Sequence, residues 1–514
     1  RLLVLSGAGM TSSIGHRPVL SGIVATWMAQ AVTVVVGFLM PRLINDSIGS
    51  MELGIWDLCW SLLIFFSAPH FGVGAALAHF RVGRALNDPD PQPSDVLRSA
   101  ATLQFGLALI AGAAFFGLLY LAHRVLNGSG EPVPALVFEA AALLALTVVI
   151  LLIGDLGQAL LMVRHQQAKG EYISITSDVI LALSMTVVLM MDGGLLALAG
   201  ATLVVRSVFE LQRLRDALRS SEFEAGQNGR WSAPLAVALL RYSTKSMVNG
   251  ALDLFYPIAI RLALFLSAGP VALASYSRFA TLYRQILRIA ERSILVLPMM
   301  ASVRSRSGNV AHIAELSIRA SRLALLMMTP LLIIFALFGN DIVAIWMGPE
   351  FVISGLAVLL AVAVFLNVDR IVVNAVLSGI NAHGRIGLVG HGSALGLSII
   401  GFWLLQPLDP FEAGGMVLIA AVGVAVPHCV LASRRLEVGV LDRVRRVYVD
   451  PLLCNVPGAA FLLFSHALFH EQRHIAAIFM GAAGLLSVPL MHWAWVLDED
   501  TRVRLRHLVL RSGT

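Results

Sequence analysis

The stretch Tyr276–Arg292, YSRFATLYRQILRIAER, decides how the rest of the chain is read. It lies in a segment otherwise apolar enough to cross a bilayer, yet it carries Arg278, Arg284, Arg288 and Arg292 against a single acid, Glu291. At 100° per residue, Ser277, Arg278, Thr281, Arg284, Gln285, Arg288, Glu291 and Arg292 fall within an arc of about 140°. The remaining circumference is Phe279, Leu282, Tyr283, Ile286, Leu287, Ile289 and Ala290. An arginine at the bilayer centre costs about 3 kcal/mol on insertion scales, so four of them do not face lipid. They line water, a partner or an anionic ligand. The competing reading is an amphipathic helix lying flat on the membrane surface.

Composition frames the choice. Of 514 residues, 58% are hydrophobic and only 13% are charged, half the charged share of a soluble chain. The mean hydropathy is +0.82. Apolar blocks recur along the whole length, which predicts a polytopic all-α membrane protein; the alternating segments of a β-barrel are absent. The net charge of +6 follows from basic loops and calls for no nucleic acid. Cys59, Cys429 and Cys454 are scattered, with no CxxC or metal spacing, so neither a disulfide nor a metal site is expected. Residues 1–18 are too weakly apolar for a cleaved signal and read as a cytoplasmic tail before a retained span.

Fourteen spans are expected, at 19–41, 55–78, 97–122, 134–152, 173–191, 195–211, 235–256, 271–300, 323–338, 353–380, 386–405, 416–431, 452–468 and 475–496. They group as an N-lobe (19–212), a cytoplasmic linker (213–233), a C-lobe (234–431), a basic amphipathic cytoplasmic segment (432–450), two last spans (451–497) and a cytoplasmic tail (498–514). Alternate loops carry most of the arginines: Arg81 and Arg84, Arg213 to Arg230, Arg304 to Arg322, Arg434 to Arg446, Arg502 to Arg511. The opposite loops hold little beyond Arg42, Arg124, Arg261 and Arg473. The positive-inside rule therefore puts both termini in the cytoplasm, and only if the arginine helix is a true crossing. That disfavours the surface-helix reading.

A faint internal repeat runs through the two halves. Pro41-Arg42 and six residues lead to Gly49-Ser50-Met51-Glu52-Leu53-Gly54-Ile55-Trp56 before span 2; Arg261 and seven residues lead to Gly269-Pro270-Val271-Ala272-Leu273-Ala274-Ser275-Tyr276 before span 8. Six spans separate them, an even number, as in parallel repeats. In span 7, Arg241, Lys245, Asn249 and Asp253 follow one another at i+4. Spans 7 and 8 together offer six cations, Arg241, Lys245, Arg278, Arg284, Arg288 and Arg292, against two acids, Asp253 and Glu291. Either the pairs only orient helices, or the surplus meets an anion, for which a diphosphate is the natural candidate.

Other intramembrane charges are fewer. Asp57, Glu139, Asp155 and Asp178 lie in the first half, and Arg206 with Glu210 reads as a structural i,i+4 pair. His70, after Pro69, marks a kink or a titrating switch. Asp369-Arg370 point about 100° apart and need different partners. The segment Leu436–Tyr448 reads as a basic amphipathic helix on the inner leaflet, and Gly339–Phe351 as an external loop with Trp346 at headgroup depth. No GxxxxGK[ST], HExxH or nucleophile–base arrangement occurs, so the chain is read as a transporter, not an enzyme, and no cofactor is expected. The external loops are too short to house a polymerase or ligase site.

Several motifs together resemble one transporter family. They are Pro41-Arg42, Ile48-Gly49 and Glu52-Leu53-Gly54-Ile55-Trp56 leading to Phe71-Gly72-Val73-Gly74-Ala75-Ala76; Gly269-Pro270 with Ala274-Ser275-Tyr276-Ser277; Phe338-Gly339 with Trp346-Met347-Gly348-Pro349-Glu350-Phe351; and Leu377-Ser378-Gly379-Ile380-Asn381-Ala382-His383-Gly384. In this order they resemble the polysaccharide transporters, the O-antigen and exopolysaccharide flippase branch of the MATE/MOP superfamily. His70 departs from the pattern, where the family often has an acid.

The resemblance implies two six-helix lobes in a V, plus two further helices, working by alternating access in a bacterial inner membrane. It implies a cationic cavity for the pyrophosphate and sugars of an undecaprenyl-linked oligosaccharide, with membrane lipid around the polyprenyl tail and polymerase or export machinery as candidate partners. On that basis Arg241, Lys245, Arg278, Arg284, Arg288 and Arg292 are expected to bind substrate, and Asp253, Glu291, Asp57 and His70 to tune or couple them. Two alternatives share the superfamily: a lipid II flippase and a drug/cation antiporter.

Overall fold

The computed structural model describes residues 16–67, 93–128, 136–163, 166–219, 230–294, 297–305, 310–380, 382–405 and 408–468, and they form helices joined by short connections, with no strand among them. His70 and the expected fourteenth span lie outside the described residues. Six helices come first: α1 (His16–Ile48), α2 (Ser50–Ser67), α3 (Pro93–Gly128), α4 (Leu136–Val163), α5 (Gln167–Met190) and α6 (Leu195–Arg219). Then come α7 (Ala233–Ser293), α8 (Leu297–Ser305), α9 (Val310–Met347), α10 (Leu356–Gly379), α11 (His383–Leu404), α12 (Pro410–Arg435), α13 (Val440–Val444) and α14 (Asp450–Leu468). Eleven of these helices contain windows long and apolar enough to cross a membrane.

At 1.5 Å per residue a straight helix of α7's 61 residues would run about 90 Å, three times the hydrocarbon thickness. It is broken at Gly269, whose φ of 81° is a conformation that side-chain-bearing residues avoid. Arg261, eight residues before the break, interacts with Tyr276, seven after it; Asp253, sixteen before, interacts with Tyr283, fourteen after. The two arms therefore run antiparallel, and α7 supplies the two crossings expected as spans 7 and 8. Gly49, between α1 and α2, also has a positive φ, 93°. The repeat faintly legible in sequence thus places the same backbone device at both positions. With α7 counted twice and α14 added, thirteen of the expected fourteen spans are described.

The chain divides into two compact units, residues 1–52 with 59–247, and residues 53–58 with 248–514. In the first, α4 packs along α6, α1 along α5 and α3 along α4. Gly154 and Gly157 on α4 allow the closest approach, since a Cβ there would collide with Glu210 and with the backbone of Leu214. Leu239, from the first turns of α7, packs with Val96, Leu156 and Leu160, which is why the division falls at 247 and not at the linker. In the second unit α11 packs on α12, α9 on α10, and α10 on α12. The opening of α2 belongs here as well: Gly54 lies against the Pro270 carbonyl so closely that no side chain would fit.

Candidate functional site

The second unit carries three groups of buried charge. The first lies beside the Gly269 break. Arg278, 1% exposed, donates from Nη2 to the Asp57 carboxylate and from Nε to the Ala274 carbonyl at 3.1 Å, while its guanidinium sits over the Trp346 ring, 5.7 Å from the centroid. The Ala274 bond holds the side chain along its own helix, so its reach is fixed toward α2. Trp346 is therefore not in an external loop, because α9 runs on to Met347. Arg261, expected in a loop, is buried within α7 and interacts with Asp57 and Arg278. Arg278 thus serves first as half of an internal ion pair.

The second group is the remainder of the arginine stripe. Arg284 and Arg288 stand one turn apart on the C-terminal arm of α7 and are both half-buried. Arg284 interacts with Arg261 and Arg288, both cations, and with Tyr276 and Tyr283. Among the described residues no carboxylate pairs with Arg284. Arg292 is half-buried at the end of the arm, and Glu291, exposed beside it, interacts with Arg288 and Arg292. Like charges at i,i+4 within an apolar segment repel one another.

The third group centres on Asp253, whose Oδ1 accepts from Arg370 Nη1 at 3.1 Å and from the Tyr256 hydroxyl at 3.4 Å. Arg370 also donates from Nε to Asn367 at 2.8 Å. His391 on α11 and His428 on α12 stack edge to face, 6.1 Å between centroids, and both interact with Asp253 and Arg370. Adjacent to Arg370, Asp369 turns the other way and accepts from Arg443 Nη2 at 2.7 Å and from the Tyr448 hydroxyl at 3.0 Å. Different partners for the two neighbours are what their angular separation requires.

Arg443 is fully buried and also reaches Ser317 and Ser321 on α9, at 3.3 and 3.4 Å. Burial would lower the Arg443 pKa, but the Asp369 carboxylate overrides it and holds the guanidinium above its ordinary value. The segment 436–448 consequently differs from the expected surface helix. Glu437 has a φ of 56°, α13 is only five residues long, and a π-turn spans Arg445–Val449. Leu441 is exposed while Arg443 points inward, so this arginine docks the segment on its own unit.

The first unit distributes charge differently. Arg206 pairs across to Asp178 on α5 at 2.7 Å, with Ser177 also accepting at 3.0 Å, and not with Glu210 one turn away. Glu210 accepts from Arg213 at 2.6 Å, and Arg213 continues to Ser174 at 2.7 Å. Lys169 and Asp216 pair at 3.0 Å in a groove of about 420 Å³ also lined by Tyr172, Thr176, Phe209 and Gln212. Arg241 is exposed and belongs to this unit, and the Lys245 side chain lies outside the described residues. Of the expected site residues, the structure groups Arg284, Arg288, Arg292 and Glu291 on one arm and joins Asp57 to Arg278. It adds Arg261, Arg370, His391 and His428, which sequence spacing does not connect.

No protein-family model matches the sequence, and no curated protein is significantly similar to it. Solved structures do match. An inward-facing multidrug-resistance MATE transporter of the MOP superfamily aligns at 15% identity with a TM-score of 0.61, covering 81% of this chain and 98% of that one. The fold is that of the MOP transporters. The lipid II flippase MurJ, in an inward closed conformation, aligns at 10% identity and a TM-score of 0.65, covering 96% of this chain and 100% of that one. The MATE multidrug transporter DinF-BH aligns at 12% identity and a TM-score of 0.61, covering 87% of this chain and 100% of that one. The all-helical MATE/MOP architecture expected from sequence is therefore the one observed, in a multi-pass membrane protein.

Proposed function

We propose that this chain is a flippase that moves a polyprenyl-diphosphate-linked oligosaccharide across a bacterial inner membrane by alternating access, with both termini cytoplasmic. The observation that carries the reading is Arg284: a half-buried guanidinium in an apolar segment, flanked by Arg261 and Arg288, with no carboxylate to pair it among the described residues. A diphosphate satisfies such a group with bidentate hydrogen bonds and compensates its charge. Arg288 and Arg292 extend the same stripe, and Arg241 and Lys245 are the further cations in this reading. Glu291 moderates the stripe and eases release, which a transporter needs as much as capture. Asp57 fixes Arg278 in this scheme, and His70 keeps its assignment as a coupling residue.

A second reading, transport of lipid II, draws support from the extent of the MurJ alignment, which reaches nearly the whole of both chains. A drug/cation antiporter is supported less, because Asp178 and Glu210 each already accept a guanidinium. The test is expression of wild type, Arg284→Ala and Arg284→Ala/Arg288→Ala in a strain lacking its polysaccharide flippase. Wild type restores surface polymer, and the double variant, at equal abundance, loses it and accumulates the lipid-linked precursor. Undiminished export in the double variant overturns the arginine mechanism. Rescue of a strain depleted of its lipid II flippase selects the second reading.

A further inference from the structure

One groove of the first unit has no part in the function proposed above. It lies between α5 and α6, with Lys169, Tyr172, Ile173 and Thr176 on one wall and Phe209 and Asp216 on the other, and has a volume of about 420 Å³. Spacings of i, i+3, i+4 and i+7 on α5 and i, i+7 on α6 make each wall a single helix face. Lys169 is in the first turn of α5 and Asp216 in the last turn of α6, and both helices are long and apolar enough to span a membrane. The two charges therefore stand where these spans leave the bilayer, at the depth of lipid headgroups. Thr176 and Phe209 are each seven residues farther in, about 10 Å along the helices. The groove runs from headgroup depth to that of the first acyl carbons.

Its chemistry changes along the way. Lys169 and Asp216, the charged residues of the lining, pair at 3.0 Å at the mouth, with side chains 47% and 27% exposed. Two nearby cations are engaged elsewhere: Arg213 donates to Glu210 and Ser174, and Arg206 to Asp178 and Ser177. A part-exposed ion pair adds little to stability, so it is easily parted. The identity of the cation matters as well. Lys169 is one of only two lysines in the chain. A guanidinium would grip the carboxylate as a fork, whereas an ammonium is a point charge that can turn to a new oxygen. Tyr172, 48% exposed, stands one turn below it, in the amphipathic position tyrosines take at a membrane boundary. Deeper in, Ile173 and Phe209 are apolar, and the Thr176 hydroxyl is satisfied within α5 by the Tyr172 carbonyl at 2.9 Å.

We propose that this groove binds phosphatidylethanolamine, with Lys169 on the phosphate, Asp216 on the lipid's ammonium and one acyl chain against Ile173 and Phe209. The headgroup carries its phosphate and its primary ammonium two carbons apart, so it enters between the paired side chains and turns one ion pair into two. Every charge stays compensated. A phosphatidylglycerol headgroup suits Lys169 equally well but brings an anion beside the Asp216 carboxylate with no cation of its own to offset it. A choline headgroup has the cation but no N–H to donate to that carboxylate. The bound lipid joins the first turn of α5 to the last turn of α6, at the end of this helical hairpin away from its 191–194 connection, and so stabilises the pair by mass action.

The test uses the full chain in detergent, with native mass spectrometry of the first lipid bound and three probes of identical dioleoyl chains bearing ethanolamine, choline or glycerol headgroups. Wild type is expected to hold phosphatidylethanolamine about 5- to 10-fold more tightly than either of the others, the difference one charge-assisted hydrogen bond makes. Asp216→Asn should abolish that preference while phosphatidylglycerol binding is kept or improved, and Lys169→Gln should weaken all three. A damaged fold would weaken all three in both variants, so the change in ranking is the signature. Equal retention of the three lipids by wild type, a tighter hold on choline or glycerol lipid, or one ranking shared by wild type and Asp216→Asn overturns the proposal. Thermal unfolding gives a second readout. Added phosphatidylethanolamine should raise the Tm of wild type more than that of Lys169→Gln/Asp216→Asn, and an equal rise in both overturns it.

Discussion

The two units handle intramembrane charge in opposite ways. In the first, Arg206 meets Asp178 and Arg213 meets Glu210, each pair joined further to a serine, so that cation and acid balance within one or two helices. In the second, Asp57, Asp253 and Asp369 each have an arginine, while Arg284 stands beside Arg261 and Arg288 with no carboxylate pairing it among the described residues. Balanced pairs pin helices together. A surplus in the same apolar surroundings costs stability unless a ligand compensates it, and it is kept where a ligand does. On the proposed function, the contrast separates arginines that hold the fold from an arginine, Arg284, that meets the cargo.

Substitutions break or sharpen that contrast in a definite order. Arg278→Ala removes the guanidinium that pairs with Asp57 in a buried site and should cost about 3–5 kcal/mol, read as lost thermal stability and monodisperse yield in detergent. Adding Asp57→Asn should recover part of the loss. Arg443→Ala, which leaves Asp369 with only the Tyr448 hydroxyl, should cost about 3 kcal/mol by the same mechanism, again with partial recovery in Asp369→Asn. Arg206→Ala removes a half-exposed charged hydrogen bond in the first unit and should cost about 1–3 kcal/mol while export continues. Arg284→Ala should change stability by less than about 1 kcal/mol, because it removes a like-charge neighbour of Arg288 as well as a cation. Its effect is on export. A stability loss at Arg284 as large as that at Arg278 would erase the distinction.

Much of the fold was legible in the sequence because it is written in periods and lengths. The arginine arc of 276–292, the apolar blocks and the glycines at 49 and 269 each carry a local signal. Where the sequence reading went astray, the missing term was a partner on another helix. Arg206 has Glu210 one turn away, yet chooses Asp178 on α5. Arg261 follows Pro257 at the end of an apolar window and reads as loop, but the proline is accommodated inside α7 and the helix continues. Arg443 lies among arginines that look like a membrane-facing strip, and only α10 supplies the acid that draws it inward. His391 and His428, with Asp253 and Arg370, come from four separate stretches with no common spacing. No pattern in one dimension could have joined them.

The neighbouring residues Asp369 and Arg370 have a kinematic consequence. A helix tethered by one side chain can swivel about its long axis with that tether as a pivot. Tethers leaving at about 100° to each other remove that freedom, since rotation that slackens one strains the other. Helix α10 is thus set in azimuth by Arg443 on one side and Asp253 on the other, so twisting it is forbidden while both bonds last. Displacement of α10 must then carry the 440–450 segment and the N-terminal arm of α7 along as one piece, or begin by letting go of one tether.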